Sequence, residues 1–165
     1  GLSPLFEKYY GLISGEQEIC YISYKSQLDN MSLKDIFNAN IEKDKILART
    51  SGGLHKDDID FKMNDVSLKN FASQGQLKSF VLSLKLAQYE MVSKSSGISP
   101  ILILDDIFDK LDRERVGRLL GLLSEDNFGQ IFISDTNMDR VPGLLTEKNI
   151  PFQAYKIENG EVNNI

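Results

Sequence analysis

The chain has 165 residues, 41% of them hydrophobic and 26% charged, which is enough for one ordinary domain with a real core and excludes a disordered or collagen-like chain. Its single cysteine, Cys20, excludes an internal disulfide and fits a reducing compartment, and no apolar run approaches a membrane span or a signal peptide. A formal net charge of −5 argues against a broad nucleic-acid-binding surface on this chain by itself.

Because it opens Gly-Leu rather than with Met, the chain is expected to be a piece of a longer protein. Leu5, Phe6, Tyr9, Tyr10 and Ile13 are spaced for a short helix that ends at Gly11 or Gly15. Glu18–Gln27 alternates through Ile19 and Tyr21 and predicts a strand. Ser32 is placed to cap a helix running to about Arg49, with Asp35 a weaker stand-in for a capping-box Glu. Leu33, Ile36, Phe37, Ile41 and Leu47 would form its apolar side.

Arg49–Asp58 is a glycine-containing, charged loop that holds the only histidine, His55. A lone histidine beside a turn is ordinarily a solvated or hydrogen-bonded loop residue. Ile59, Phe61 and Met63 then alternate along a strand, and Asn64-Asp65 predicts a two-residue hairpin to a return strand with Val66 and Leu68. Next, Ala72-Ser-Gln-Gly-Gln opens a long helix with Leu77, Phe80, Val81, Leu84, Ala87 and Met91 on its apolar side. Ser73 and Gln76 make a capping box of the Ser-x-x-Gln kind, which would be a sufficient explanation of the motif. The same geometry suits an anion: a glycine at a helix start, unpaired N–H groups and the positive dipole end favour phosphate.

Pro100 leads into Ile101–Leu104, a short aliphatic run that predicts a central strand buried on both faces. Asp105 and Asp106 stand at its C-terminal end, where open α/β sheets place their ligand chemistry. Such a pair is often only the lead into a turn and a helix cap. Carboxylates beside a buried strand are costly unless a cation or hydrogen-bond donor meets them, and a hard, oxygen-seeking cation such as Mg²⁺ is the natural candidate. A second acid pair, Asp109 and Asp112, weighs against the plain reading. After Asp112, Val116, Leu119, Leu120 and Leu123 predict an amphipathic helix, and Gln130–Ser134 another short buried strand. A helix through Val141–Lys148 and a hairpin around Asn159-Gly160 would complete the sheet.

The run Leu104-Asp-Asp-x-x-Asp-x-Leu-Asp112 resembles the Walker B strand and D-loop of an ABC-type ATPase, and most of all the RecF family of bacterial DNA-repair ATPases. Ser73-Gln-Gly-Gln76, one helix and a Ser/Gly-rich turn upstream, resembles that family's signature motif, with Lys78 where the family often has Arg. Arg49–Asp58 is similar to its Arg-Thr-x-x-Gly-Pro-His-Arg-Asp-Asp segment, with Leu54 replacing the proline and Lys56 the arginine. Ser134-Asp135-Thr136 stands where transporter-like members carry a switch histidine, and Asp135 departs from the small or hydroxyl residues of RecF proteins.

The resemblance implies an α/β fold, the C-terminal half of an ABC-type (P-loop NTPase-like) lobe with a largely parallel sheet flanked by helices, over residues 46–165. Residues 1–45 would be the end of an arm domain. It implies that Asp105 holds Mg²⁺ and that Asp106 is the catalytic base or water-positioner. Ser73, Gln74, Gly75 and Gln76 would reach ATP bound by a second subunit. Asp109 and Asp112 would line the dimer seam, and Asp135 and Thr136 would belong to the switch. The complete protein would be a cytoplasmic, ATP-dependent homodimer without membrane contact. It would act on DNA at single-/double-strand junctions in recombinational repair, with the RecO and RecR proteins as partners.

No Gly-x-x-x-x-Gly-Lys-Ser/Thr phosphate loop occurs in these residues, so the chain alone is expected to be inactive. Three other classes stand beside this reading. A phosphoacceptor receiver domain would need a further acceptor strand and lysine, for which too little chain follows Asp106. A two-metal nuclease would need another acidic strand end. A non-catalytic interaction lobe needs neither.

Overall fold

A computed structural model describes residues 1–16, 18–125 and 128–164. In chain order the elements are helix α1 (Leu2–Ser14), strand β1 (Cys20–Lys25), helix α2 (Leu33–Leu47), strands β2 (Asp58–Met63) and β3 (Val66–Ser67), and the short helix α3 (Leu68–Phe71). There follow α4 (Gln74–Ser96), β4 (Leu102–Leu104), α5 (Arg113–Leu123), β5 (Ile131–Ile133), α6 (Arg140–Glu147), β6 (Tyr155–Glu158) and β7 (Glu161–Asn164). They form two compact units, one of residues 1–19 and 72–165, the other of residues 20–71. Residue 45 lies within α2, and α1 packs with α4 and α5 in the larger unit.

The larger unit is built on α1, α4 and α5. Phe6, Tyr9, Tyr10 and Ile13 recur at helical spacing and are at most 3% exposed. Gly15 ends α1 in the left-handed region, at φ 75°, where glycine carries no Cβ penalty. Phe6 meets Phe80 of α4 with ring centroids 4.7 Å apart. Val116, Leu119 and Leu120 of α5, each at most 1% exposed, join the same core. Full burial of such side chains stabilises the fold by about 1.5–3 kcal/mol apiece.

β4 and β5 pair in parallel, with Leu102 opposite Ile131 and Leu104 opposite Ile133. That pair is the one parallel ladder among the described residues; the other strands pair antiparallel. Leu102 and Leu104 are buried, but Ile103 is 71% and Ile101 59% exposed. The expectation of a strand buried on both faces is therefore met on one face only, because no element among the described residues covers Ile101 and Ile103. The C-terminal hairpin also differs from expectation. β6 and β7 form their own two-stranded ribbon instead of completing the β4–β5 sheet. Asn159 and Gly160, both at positive φ, make its tight turn.

In the smaller unit, β1, β2 and β3 form an antiparallel sheet in that order. Asn64 and Asp65, at φ 47° and 65°, are the predicted two-residue hairpin turn. Ser32 caps α2 as expected, its hydroxyl accepting from the Asp35 N–H at 3.2 Å. Ile36 is buried, whereas Leu33, Phe37, Ile41 and Leu47 on the expected apolar side are exposed. The glycine loop lies against α2. The Gly53 N–H donates to Gln27 Oε1 at 3.0 Å, and a Cβ on Gly52 would come within 2.6 Å of Ile36. His55 is exposed and approaches the Thr50 carbonyl at 3.1 Å, the hydrogen-bonded loop residue of the plainer reading. Among the described residues no helix is long and apolar enough to cross a membrane.

Candidate functional site

Every residue singled out for chemistry lies in the larger unit, and the structure connects most of them. β4 delivers Asp105 and Asp106 to its C-terminal end, both exposed. Ser134, directly after β5, reaches both: its hydroxyl donates to Asp105 Oδ1 at 2.5 Å and accepts from the Asp106 N–H at 3.1 Å. The parallel register makes this inevitable, since pairing Leu104 with Ile133 brings the next residues of both strands to the same end. Asp106 has φ 44°, a left-handed backbone that costs a non-glycine residue of the order of 1–3 kcal/mol and that clusters at functional positions. Lys78 of α4 holds that backbone by donating to the Asp106 carbonyl at 2.8 Å.

The signature-like segment is a helix start built by side chains. Ser73 caps α4: its Oγ accepts from the Gln76 N–H at 3.2 Å, and Gln76 Oε1 accepts from the Ser73 N–H at 2.7 Å. Gln74 and Ser73 are exposed. Gly75 is where the acidic loop comes closest: a Cβ there would lie 3.1 Å from the Lys110 carbonyl oxygen. Lys110 itself sits at φ 71°, so the Asp109–Asp112 loop is tightly turned beneath the helix start.

Asp112 caps α5, its Oδ1 accepting from the Arg115 N–H at 2.8 Å. This backbone bond, aided by the Arg115 charge, holds its carboxyl below the usual range against the opposing effect of burial. Asp109 is exposed. Asp135 is no loose neighbour of the acids. Arg140 grips both its oxygens, at 2.7 and 2.5 Å, and also reaches the Phe108 carbonyl at 3.3 Å. The Arg140 hydrogen bonds hold the Asp135 carboxyl below its ordinary value. Thr136 is exposed.

Lys78, Ser134, Arg140, Arg115 and Glu18 complete the arrangement without having been assigned roles from the sequence. Glu18 and Arg140 carry no motif, and Glu18 lies 58 residues from its partner Gln76. A parallel register would have pointed to Ser134, and the three-residue step from Asp112 to Arg115 is a helix-cap spacing.

Among the described residues no group of three His, Cys, Asp or Glu is gathered to hold a metal. Asp105 nonetheless suits Mg²⁺, which is commonly held by one or two carboxylates together with phosphate oxygens and water. One of its oxygens is engaged by Ser134, and the carboxylate is exposed at the strand end.

No protein-family model matches the chain. Proteins named DNA replication and repair protein RecF from Flavobacterium johnsoniae, Cytophaga hutchinsonii and Bacteroides thetaiotaomicron are 43%, 41% and 36% identical to it over 156, 161 and 162 residues. Those alignments cover 94%, 98% and 98% of this chain. The chain belongs to the RecF family. It spans 43–44% of the length of these curated relatives and matches the C-terminal portion of RecF. A solved structure of the recombination mediator protein RecF with ATP shares the fold, with a TM-score of 0.68 at 23% identity, over 99% of this chain and 43% of that one. A structure of an SMC ATPase aligns with a TM-score of 0.56 at 15% identity, over 99% of this chain and 81% of that one. The α/β fold of this chain is thus shared with these RecF and SMC ATPase structures.

Proposed function

We propose that this chain is the C-terminal part of a RecF-type ATPase whose complete protein binds and hydrolyses ATP at a homodimer seam while acting on DNA in recombinational gap repair. The observation that supports this best is the convergence at the end of β4. Lys78 on the Asp106 carbonyl and Gly75 beside the Lys110 carbonyl bring a phosphate-suited helix start, an acidic strand end and an acidic loop to one edge. Naming of the relatives as DNA replication and repair proteins, and of a fold neighbour as RecF with ATP, points the same way.

In this reading Asp105 holds Mg²⁺, which would neutralise charge on the phosphate oxygens. Asp106 orients the attacking water and accepts its proton. Ser73, Gly75 and Gln76 face the nucleotide of the second subunit, and the loop from Asp109 to Asp112 lines the seam. Asp135 is assigned a supporting role in the switch, since Arg140 occupies both its oxygens. The phosphate loop is supplied by residues outside this chain. The ATPase portion takes in residues 46–165, and α1 joins it through α4 and α5. Contact with DNA and with RecO and RecR belongs to the complete protein.

The experiment is Asp106→Asn in the complete protein. The amide keeps the shape but loses the charge that accepts a proton. Nucleotide binding is expected to persist while turnover falls by about 10²–10⁴-fold. Turnover at the wild-type rate would remove Asp106 from the chemistry.

A further inference from the structure

The ion pair between Arg115 and Glu18 is well shielded, at 3.0 Å with side chains 13% and 14% exposed. Removing two charges from water is costly unless their remaining hydrogen-bonding capacity is met. Here each guanidinium nitrogen and each carboxylate oxygen has a partner. Arg115 donates to Ser79 Oγ at 3.0 Å and to Asp112 Oδ2 at 3.2 Å. Glu18 accepts from Tyr10 of α1 at 2.6 Å through one oxygen, and from Gln76 Nε2 at 2.9 Å through the oxygen that meets Arg115. The Glu18 bond fixes which end of the Gln76 amide is which: its N–H₂ faces the carboxylate, so its carbonyl faces the Ser73 N–H.

We propose that Glu18 and Arg115 are positioning residues for the signature segment, setting the Gln76 amide and thereby the Ser73 cap, and tying that cap to the acidic loop through Asp112. The relay ends on Tyr10, so the seating of α1 is transmitted to the helix start. The consequence for nucleotide rests on the function proposed above; the positioning itself does not.

A local capping box and this relay predict opposite effects of one substitution. Glutamate is at least as good as glutamine at the third position of a capping box. If Gln76 only caps α4, Gln76→Glu is neutral or stabilising. Within the relay it sets two carboxylates against each other and removes the donor that α4 supplies to Glu18. Glu18→Gln, by contrast, keeps a carbonyl oxygen toward Gln76 Nε2 and Arg115 and turns its N–H₂ toward the Tyr10 oxygen, so it preserves the relay without the charge.

The test is amide hydrogen exchange at Ser73 in the nucleotide-free complete protein, followed by ATP-dependent dimerisation of the same variants. Exchange at Ser73 is expected to quicken roughly tenfold in Gln76→Glu, the size of one lost charge-assisted hydrogen bond. Glu18→Gln is expected to stay close to wild type. Should Gln76→Glu fail to fold, Glu18→Gln and Glu18→Ala carry the comparison, with slow exchange expected in the first and fast in the second. Wild-type exchange in Gln76→Glu or Glu18→Ala, or exchange in Glu18→Gln as fast as in Glu18→Ala, would overturn the positioning role. Exchange that follows the expected pattern while dimerisation is unchanged throughout would uphold the relay and refute the trans role of the signature.

Discussion

Asp135 interrupts a segment that resembles RecF otherwise, and its surroundings explain it. Its side chain is 7% exposed, and a carboxylate so placed needs a cation, which Arg140 supplies through two bonds. Arg140 also reaches the Phe108 carbonyl, so the acid spans the gap between the switch segment and the loop after β4. Because the folded-state value is depressed, the stabilisation is present above the ordinary value of 3.8 and is lost as pH falls through the lower folded value. Asp135→Asn is expected to destabilise the chain near neutral pH by about 1–2 kcal/mol, the size of a charged hydrogen bond. Urea unfolding at a series of pH values checks it: the gap to wild type should close in acid, and a gap independent of pH would assign the loss to packing instead. Nothing in the sequence tied Asp135 to Arg140. Their spacing belongs to a loop entering a helix, where no periodicity applies. Ser73, Asp105, Asp106 and Asp112, by contrast, could be assigned to a cap or a strand end because those positions have fixed residue chemistry.

At the scale of the element, α4 shows where hydrophobic pattern misleads. The spacing of Leu77, Phe80, Val81, Leu84, Ala87 and Met91 suggested one buried side, yet of these only Phe80 and Ala87 are buried. Leu82, Leu86 and Tyr89 fill the rest of the core-facing side, together with Ser79 and Ser83. Those two serines are the reason. Each satisfies its hydroxyl on the carbonyl one turn back, Ser79 on Gly75 at 2.9 Å and Ser83 on Ser79 at 2.7 Å, so a polar residue sits in a core without penalty. A reading by polarity assigns them to the solvent side and turns the helix. The consequence is a sharp contrast between neighbours. Phe80→Ala should cost about 3–5 kcal/mol as a core truncation. Val81→Lys, at a position 53% exposed, should stay within about 0.5 kcal/mol. Chemical denaturation of the two variants decides it, and the reverse order would mean that α4 is turned the other way. β4 teaches the same lesson from the other direction. The four aliphatic residues from Ile101 to Leu104 signal two apolar faces, and the described residues cover only one of them.

At the scale of the whole molecule, the acidic strand end and the helix start are joined by Lys78 and by the close approach of Gly75 to Lys110, and in the proposed function they form one side of a composite site. The arrangement proposed for the complete protein makes Ser73 face the nucleotide of a second subunit. As a cap alone, Ser73 is worth about 0.5–2 kcal/mol of helix stability, and any residue that cannot accept the Gln76 N–H forfeits roughly that amount. As a contact across a seam, it is far less tolerant of bulk. Ser73→Arg in the complete protein places a long cation where two subunits must close on one nucleotide. Each subunit should still bind ATP, because the phosphate loop is on the other side of that seam. Sedimentation with ATP separates the two roles. The wild type is expected to dimerise with ATP and Ser73→Arg to remain a nucleotide-bound monomer, with Ser73→Ala close to wild type in assembly. Dimerisation of Ser73→Arg at the wild-type ATP concentration would return Ser73 to the rank of a helix cap and remove the signature from the seam.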